Sequence, residues 1–221
     1  SNLAANWPMS QIRKQSIISS VLVYIGFAIG FLNTYLFTRE GGFTQAQYGL
    51  TGIFIAIANI MYAVANLGMG SYINKFYPYY DDNLPKKKND LLTWALLFSL
   101  IGFCLIVIAG FVFKDLVVRK YGTHSPDFVK YYFYIFPFGL GLTLFSILEV
   151  YAWQLKKAVL SNFLREIQFR LLTTILILLS FAGIIASFDL FIKLYSFTFL
   201  AVAIILLCNL FYTHHISFTF S

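Results

Sequence analysis

Six long apolar stretches, separated by short loops that carry most of the charge, limit what this chain can fold into. Each has ~20 residues or more, and a helix of ~20 apolar residues crosses the ~30 Å hydrocarbon core of a bilayer. The stretches do not alternate apolar and polar residues as the strands of a membrane barrel do. The sequence therefore predicts an all-α integral membrane protein, a bundle of six transmembrane helices at residues 16–37, 48–73, 91–113, 131–154, 167–188 and 190–212.

The composition agrees with this class, since 59% of the residues are hydrophobic and only 11% are charged. The six helices and their loops leave no stretch for a soluble catalytic domain. We expect a cytoplasmic flank at residues 1–15, the transmembrane lobe at 16–213 and a C-terminal stub at 214–221.

Basic residues are distributed unevenly between the two sides of the predicted bundle. Ten of the 16 lysines and arginines fall in the N-terminal flank, in the second and fourth loops, or just inside the fifth helix. Because cytoplasmic loops are enriched in these residues, we expect both termini in the cytoplasm. The net charge of +7 is thus explained by topology and does not indicate nucleic-acid binding.

Small and polar residues form a stripe on each of the first two predicted helices. The stripe of the first is Ser16, Ser19, Val23, Gly26, Gly30 and Asn33, and that of the second is Gly49, Gly52, Ala56, Asn59, Ala63, Asn66 and Gly70. Such stripes allow close packing of helix backbones in lipid. The asparagines also fit a hydrated cavity lined by both helices, and the sequence leaves the two interpretations open.

Glu149 is the only acidic residue inside a predicted apolar stretch. It lies ~10 Å from the midpoint of its helix, and ionisable residues at such depth are candidates for function. We expect it to face a polar cavity. The alternatives are that it snorkels to the membrane boundary, or that it forms a structural ion pair with Arg170, near the start of the fifth predicted helix, or with Lys156.

Chemistry-bearing residues are otherwise sparse. His124, His214 and His215 lie outside the apolar stretches, and no catalytic or phosphate-binding motif is present. We therefore expect no enzyme activity, no metal and no cofactor. The two cysteines, Cys104 and Cys208, are predicted to be buried packing residues and not a disulfide.

Three segments carry a resemblance to a known family. They are the basic start MSQIRKQS at residues 9–16, QYGLTGIF at 47–54, and ANLGMGSYINKF at 65–76. In their order and spacing they resemble the amino-terminal part of bacterial polysaccharide flippases, which export lipopolysaccharide and O-antigen precursors. These proteins belong to the multidrug, oligosaccharidyl-lipid and polysaccharide exporter superfamily. The resemblance covers all six predicted helices.

The resemblance implies one six-helix lobe of a two-lobe exporter in the bacterial inner membrane, with the carboxy-terminal lobe missing. Its partners would be membrane lipids and a lipid-linked saccharide that the exporter moves between leaflets. Family cavities usually hold basic residues for the pyrophosphate, whereas the first helix here has none in its core. That role would fall to Arg170, or to Arg39 and Lys75 as anion contacts, and all three lie near the membrane edges.

Other functions are compatible with the same helices. A drug or cation exporter of the same superfamily is the first alternative, although the first helix lacks the acidic residue that cation coupling would need. A six-helix membrane enzyme and a structural scaffold are further alternatives. For the exporter, the substrate-cavity candidates are Asn33, Asn59, Asn66, Glu149 and Arg170.

Overall fold

The computed structural model describes residues 7–40, 42–84, 89–123 and 125–213, and within these ranges the chain is helical with no strand. A 3₁₀ turn at Tyr132–Tyr134 precedes α7, and a π-helical segment at Leu164–Gln168 joins α8 to α9. The α-helices are α1 (Trp7–Thr38), α2 (Gln45–Ala65), α3 (Met69–Asn83), α4 (Leu91–Val112), α5 (Lys114–Tyr121), α6 (Pro126–Lys130), α7 (Ile135–Gln154), α8 (Ala158–Phe163), α9 (Phe169–Phe181), α10 (Phe188–Ser196) and α11 (Thr198–Tyr212).

Five helical segments of the described chain are long and apolar enough to span a membrane, so the chain is a multi-pass membrane protein. They are Arg13–Thr38, Gln45–Ala65, Leu91–Val112, Tyr132–Gln154 and Phe188–Tyr212. The sixth predicted span, at 167–188, is not among them. Its helix occupies residues 158–181 and includes three charged residues, Arg165, Glu166 and Arg170. The predicted stub at 214–221 lies outside the described residues.

The second predicted span, at 48–73, is wrong as a single helix. α2 ends at Ala65 and α3 begins at Met69, because Leu67 (φ 45°) and Gly68 (φ 79°) adopt left-handed backbone conformations. Glycine adopts this conformation without steric cost, whereas leucine adopts it only at a steric cost. α3 then continues to Asn83, so the first half of the predicted loop at 75–90 is also helical.

α7 lies at the centre of the bundle and packs against α2, α4 and α11. Most of its side chains are buried, including Phe138, Phe145 and Ile147. The close approach of α11 depends on Gly141, because a Cβ there would clash with the backbone of Leu200. Such backbone contact is the packing that small residues provide in membrane bundles.

The stripe of small residues on α1 packs closely against another helix of this chain, as the close-packing interpretation predicted. A Cβ on Gly26 would lie 2.8 Å from the Glu166 carbonyl oxygen, and one on Gly30 would lie 3.1 Å from the Arg170 guanidinium. The neighbour of α1 is therefore the helix at 158–181, and α1 and α2 touch only slightly.

The stripe of α2 behaves differently. A Cβ on Gly49 or Gly52 would meet nothing within 4 Å, and Ala56 and Ala63 are also exposed. The buried face of α2 is instead formed by larger residues such as Phe54 and Met61. Most of the second stripe therefore does not pack closely within this chain, and the close-packing interpretation is wrong for it. Gly70, which lies past the helix break, is buried.

The cysteines also differ from their prediction. Both are free, as expected, but Cys104 and Cys208 are exposed on the bundle surface and not buried.

Gly141, at a tight contact between helices, and Gly52, at an open surface, allow a matched test of the packing. Gly141→Ala should lower the free energy of unfolding by roughly 1–3 kcal/mol, because the added methyl group forces α7 and α11 apart. Gly52→Ala should not destabilise the protein, because its methyl group enters open space. Thermal unfolding of the purified protein in detergent measures both, and equal effects would contradict the packing described for α7.

Candidate functional site

The π-helical segment Leu164–Gln168 sits between α8 and α9 and shapes the site. There the Phe169 N–H donates to the carbonyl of Leu164, five residues earlier, so the helix contains one widened turn. Single π turns inside α-helices occur frequently at functional sites. This turn carries Arg165 and Glu166, which lie between the fourth and fifth predicted spans.

Two ion pairs connect this segment to its surroundings. The Arg165 guanidinium lies 2.5 Å from the Glu149 carboxylate, and Arg170 lies 3.0 Å from Glu166 one turn away. Neither partner proposed for Glu149 was right, since Arg170 pairs elsewhere and Lys156 is exposed after the end of α7.

Glu149 is 2% exposed, and only one of its oxygens has a hydrogen-bond partner within the described residues. A buried charge that loses its partner is costly, so the position of Arg165 is closely tied to Glu149. Glu149 faces the interior of the bundle.

A polar cavity of about 410 Å³ lies beside these pairs, between α2, α7, α11 and the helix at 158–181. Its polar lining comes from three helices, and the hydroxyl of Ser146 is buried there with no protein partner in the described chain. Ser146 lies one turn from Glu149 on α7. The lining residues are Ile55, Asn59, Tyr62, Leu142, Ser146, Arg165, Glu166, Phe169, Arg170 and Phe199.

Two of the five cavity candidates, Asn59 and Arg170, lie in this lining. The Asn59 amide donates to the Ile55 carbonyl at 2.8 Å, within its own helix. Glu149 lies behind the lining and holds Arg165 in place.

Asn33 and Asn66 have other positions, which give them structural roles. The Asn33 amide donates to the Arg170 carbonyl at 3.0 Å, and its oxygen accepts from the Thr174 hydroxyl at 2.6 Å, which fastens α1 to α9. The Asn66 side chain accepts from the Gly70 N–H at 3.0 Å across the helix break. Neither belongs to the cavity lining.

The two suggested anion contacts do not form one site. Arg39 follows the end of α1, whereas Lys75 lies in α3, beyond the full length of α2. An α-helix of 21 residues, as α2 has, is ~30 Å long. Both residues are exposed, and the Lys75 ammonium lies 5.5 Å from the centre of the Phe76 ring.

Four lining residues were not among the predicted cavity residues, namely Tyr62, Ser146, Arg165 and Glu166. Two spacings in the sequence could have indicated some of them. Ser146 and Glu149 are three residues apart, and Glu166 and Arg170 are four apart, so each pair lies on one face of a helix.

Breaking the buried pair should destabilise the protein. Arg165→Met leaves the Glu149 carboxylate buried without a cation, and we expect a loss at the low end of ~3–5 kcal/mol because Arg165 is partly exposed. The double variant Glu149→Leu with Arg165→Met should recover most of this loss. Arg39→Met, on an exposed arginine, is the control. Thermal unfolding gives the three values, and a double variant no more stable than Arg165→Met would contradict the coupling.

Comparison with known proteins adds no relative, because no family model, curated protein or solved structure matches this chain.

Proposed function

We propose that this chain is the amino-terminal lobe of a flippase that moves a lipid-linked oligosaccharide across the bacterial inner membrane. The observation that carries the proposal is the polar cavity with Arg165 and Arg170 in its lining. Charged residues in membrane helices are costly and usually serve a function. The planar guanidinium donates paired hydrogen bonds to phosphate oxygens, which suits a pyrophosphate linker.

The rest of the cavity supports an amphipathic substrate. Phe169, Phe199 and Ile55 place aromatic and apolar surface next to the two guanidinium groups. A ligand with a charged head and an apolar tail would find both kinds of surface there. The polar head of a saccharide could also use the Asn59 amide and the buried Ser146 hydroxyl.

The proposal completes the membrane topology with a sixth span, the helix at 158–181, and places both termini in the cytoplasm. This orientation brings Arg165 and Arg170 towards the cytoplasmic side, where a lipid-linked precursor would enter. The uneven distribution of basic residues supports it. The ion pairs Arg165–Glu149 and Arg170–Glu166 reduce the cost of carrying charged residues in that span.

The exposed stripe of α2 supports a second lobe. Gly49 and Gly52 have open space in front of them, and small residues at an open helix face suit close approach by another helix. In the proposal this face lies towards the carboxy-terminal lobe, and transport requires one lobe to move against the other.

Cysteine labelling tests the topology. In a background with Cys104→Ser and Cys208→Ser, we expect Asn83→Cys to react with a membrane-impermeant reagent only from the cytoplasm. Gly122→Cys should react only from outside, since an odd number of spans separates the two exposed sites. The reverse pattern would contradict the orientation, and labelling of both from one side would contradict the span between them.

Ligand binding tests the function. The purified chain should bind farnesyl pyrophosphate in preference to farnesol, because only the pyrophosphate engages the arginines. Arg170→Gln should weaken this binding by roughly 10- to 150-fold, as expected for the loss of a charge-assisted hydrogen bond of ~1.5–3 kcal/mol. Lys75→Gln, far from the cavity, is the control.

Equal binding of the pyrophosphate and the alcohol would overturn the flippase proposal. Loss of binding in Lys75→Gln as large as in Arg170→Gln would show that attraction is non-specific and would remove the cavity as the site.

A further inference from the structure

A second cavity, of about 570 Å³, lies between α2, α4 and α7 and is separate from the polar one. It begins near the end of α4 and follows α2 from Ile53 to Met61, a depth of ~12 Å along the helix. We call it the apolar cleft; its lining is Ile53, Ala56, Ile57, Met61, Ile106, Ala109, Gly110, Phe113, Val117, Tyr121, Ser125, Phe128, Tyr132, Ile135 and Phe136.

The lining of the apolar cleft has few groups that could bind water. Among its described residues, only Tyr121, Ser125 and Tyr132 have oxygen or nitrogen in their side chains, and the Tyr132 hydroxyl already donates to the Gly110 carbonyl at 3.0 Å. A buried water needs two to four polar partners. The interior of the cleft therefore suits a hydrocarbon chain better than water.

The apolar cleft is bordered at one end, here called its mouth, by α5, a helix that is basic overall. α5 contributes Val117 and Tyr121 to the lining, and it also carries Lys114, Arg119 and Lys120 against a single acidic residue, Asp115. Its exposed Leu116 and Val118 make it a short amphipathic helix, which suits a position at the membrane interface. Basic residues there attract anionic lipid headgroups.

We propose that the apolar cleft binds one acyl chain of an anionic phospholipid, whose phosphate is held by the basic residues of α5. The hydrocarbon chain accounts for the apolar interior, and the phosphate accounts for the charge at the mouth. This site shares no residue with the polar cavity, so the two proposals are tested separately, although Ala56 in its lining belongs to the stripe of α2 that the proposed function turns towards the second lobe.

Native mass spectrometry of the purified chain tests the proposal, with phosphatidylglycerol and phosphatidylcholine of the same acyl chains as probes. Ala56→Trp fills the apolar cleft from an exposed position, so it displaces no core residue. Ala63→Trp makes the same change at an exposed alanine two turns along α2, outside the cleft. We expect a preference for phosphatidylglycerol that Ala56→Trp abolishes and Ala63→Trp leaves unchanged.

A second arm tests the headgroup. Removing two charges with Lys114→Gln and Lys120→Gln, three residues on either side of Val117, should weaken phosphatidylglycerol binding by roughly tenfold or more, since each basic residue near an anionic surface contributes ~1 kcal/mol. The same double variant should leave phosphatidylcholine binding unchanged. Lys75→Gln, an exposed lysine on α3, is the control for general charge loss.

Three results would overturn the proposal. The first is equal binding of the two lipids, and the second is equal loss in the two tryptophan variants. The third is a dimer of the chain that Ala56→Trp converts to monomer, which would show a second copy and not a lipid in the cleft.

Discussion

Polar groups at membrane depth are costly unless they find partners inside the protein, and several features of this fold meet that constraint. The helix at 158–181 carries three charged side chains and stays in the bundle because Glu149 and an internal salt bridge compensate them. The amide of Asn33 is satisfied at both ends by α9. Where α2 breaks, the side chain of Asn66 accepts a backbone N–H that the break would otherwise leave free.

Hydropathy predicted the helical class and five membrane-crossing segments, because long apolar runs have few other solutions in lipid. It placed the start of the fifth predicted helix at residue 167, whereas the helix begins at residue 158, because closely spaced charges such as Arg165 and Glu166 are typical of loops. The charge of Arg165 is compensated by a residue 16 positions earlier on another helix, and only the folded chain reveals that pair. The sequence also did not indicate the break at Leu67. Leucine is not a turn-forming residue, and Gly68 lies among the small residues of the stripe, so it did not suggest the end of a helix.

The two small-residue stripes show why a pattern alone does not fix a contact. In α1 the stripe faces Glu166 and Arg170, and the absence of side chains at Gly26 and Gly30 lets the helices touch. In α2 the residues with similar spacing face outward, and a Cβ at Gly49 or Gly52 would meet nothing within 4 Å. The candidate site residues likewise take different positions although their chemistry is similar. Asn59 and Arg170 reach the cavity, whereas Asn33 and Asn66, of the same chemistry as Asn59, are used to join helices.

The π-helical turn at Leu164–Gln168 is equivalent to one extra residue in a regular helix. One residue corresponds to a rotation of ~100° about the helix axis, so the turn sets the angular relation between α8 and α9. While α9 stays fastened to α1 through Asn33, losing the extra residue would turn α8 by a quarter of a circle. Lys157, just before α8, now donates to Thr213 at the end of α11 at 2.6 Å and would point elsewhere. The widened turn thus rotates one end of the helix at 158–181 relative to the other. One continuous helix can therefore present the correct face to α1 at one end and to α11 at the other.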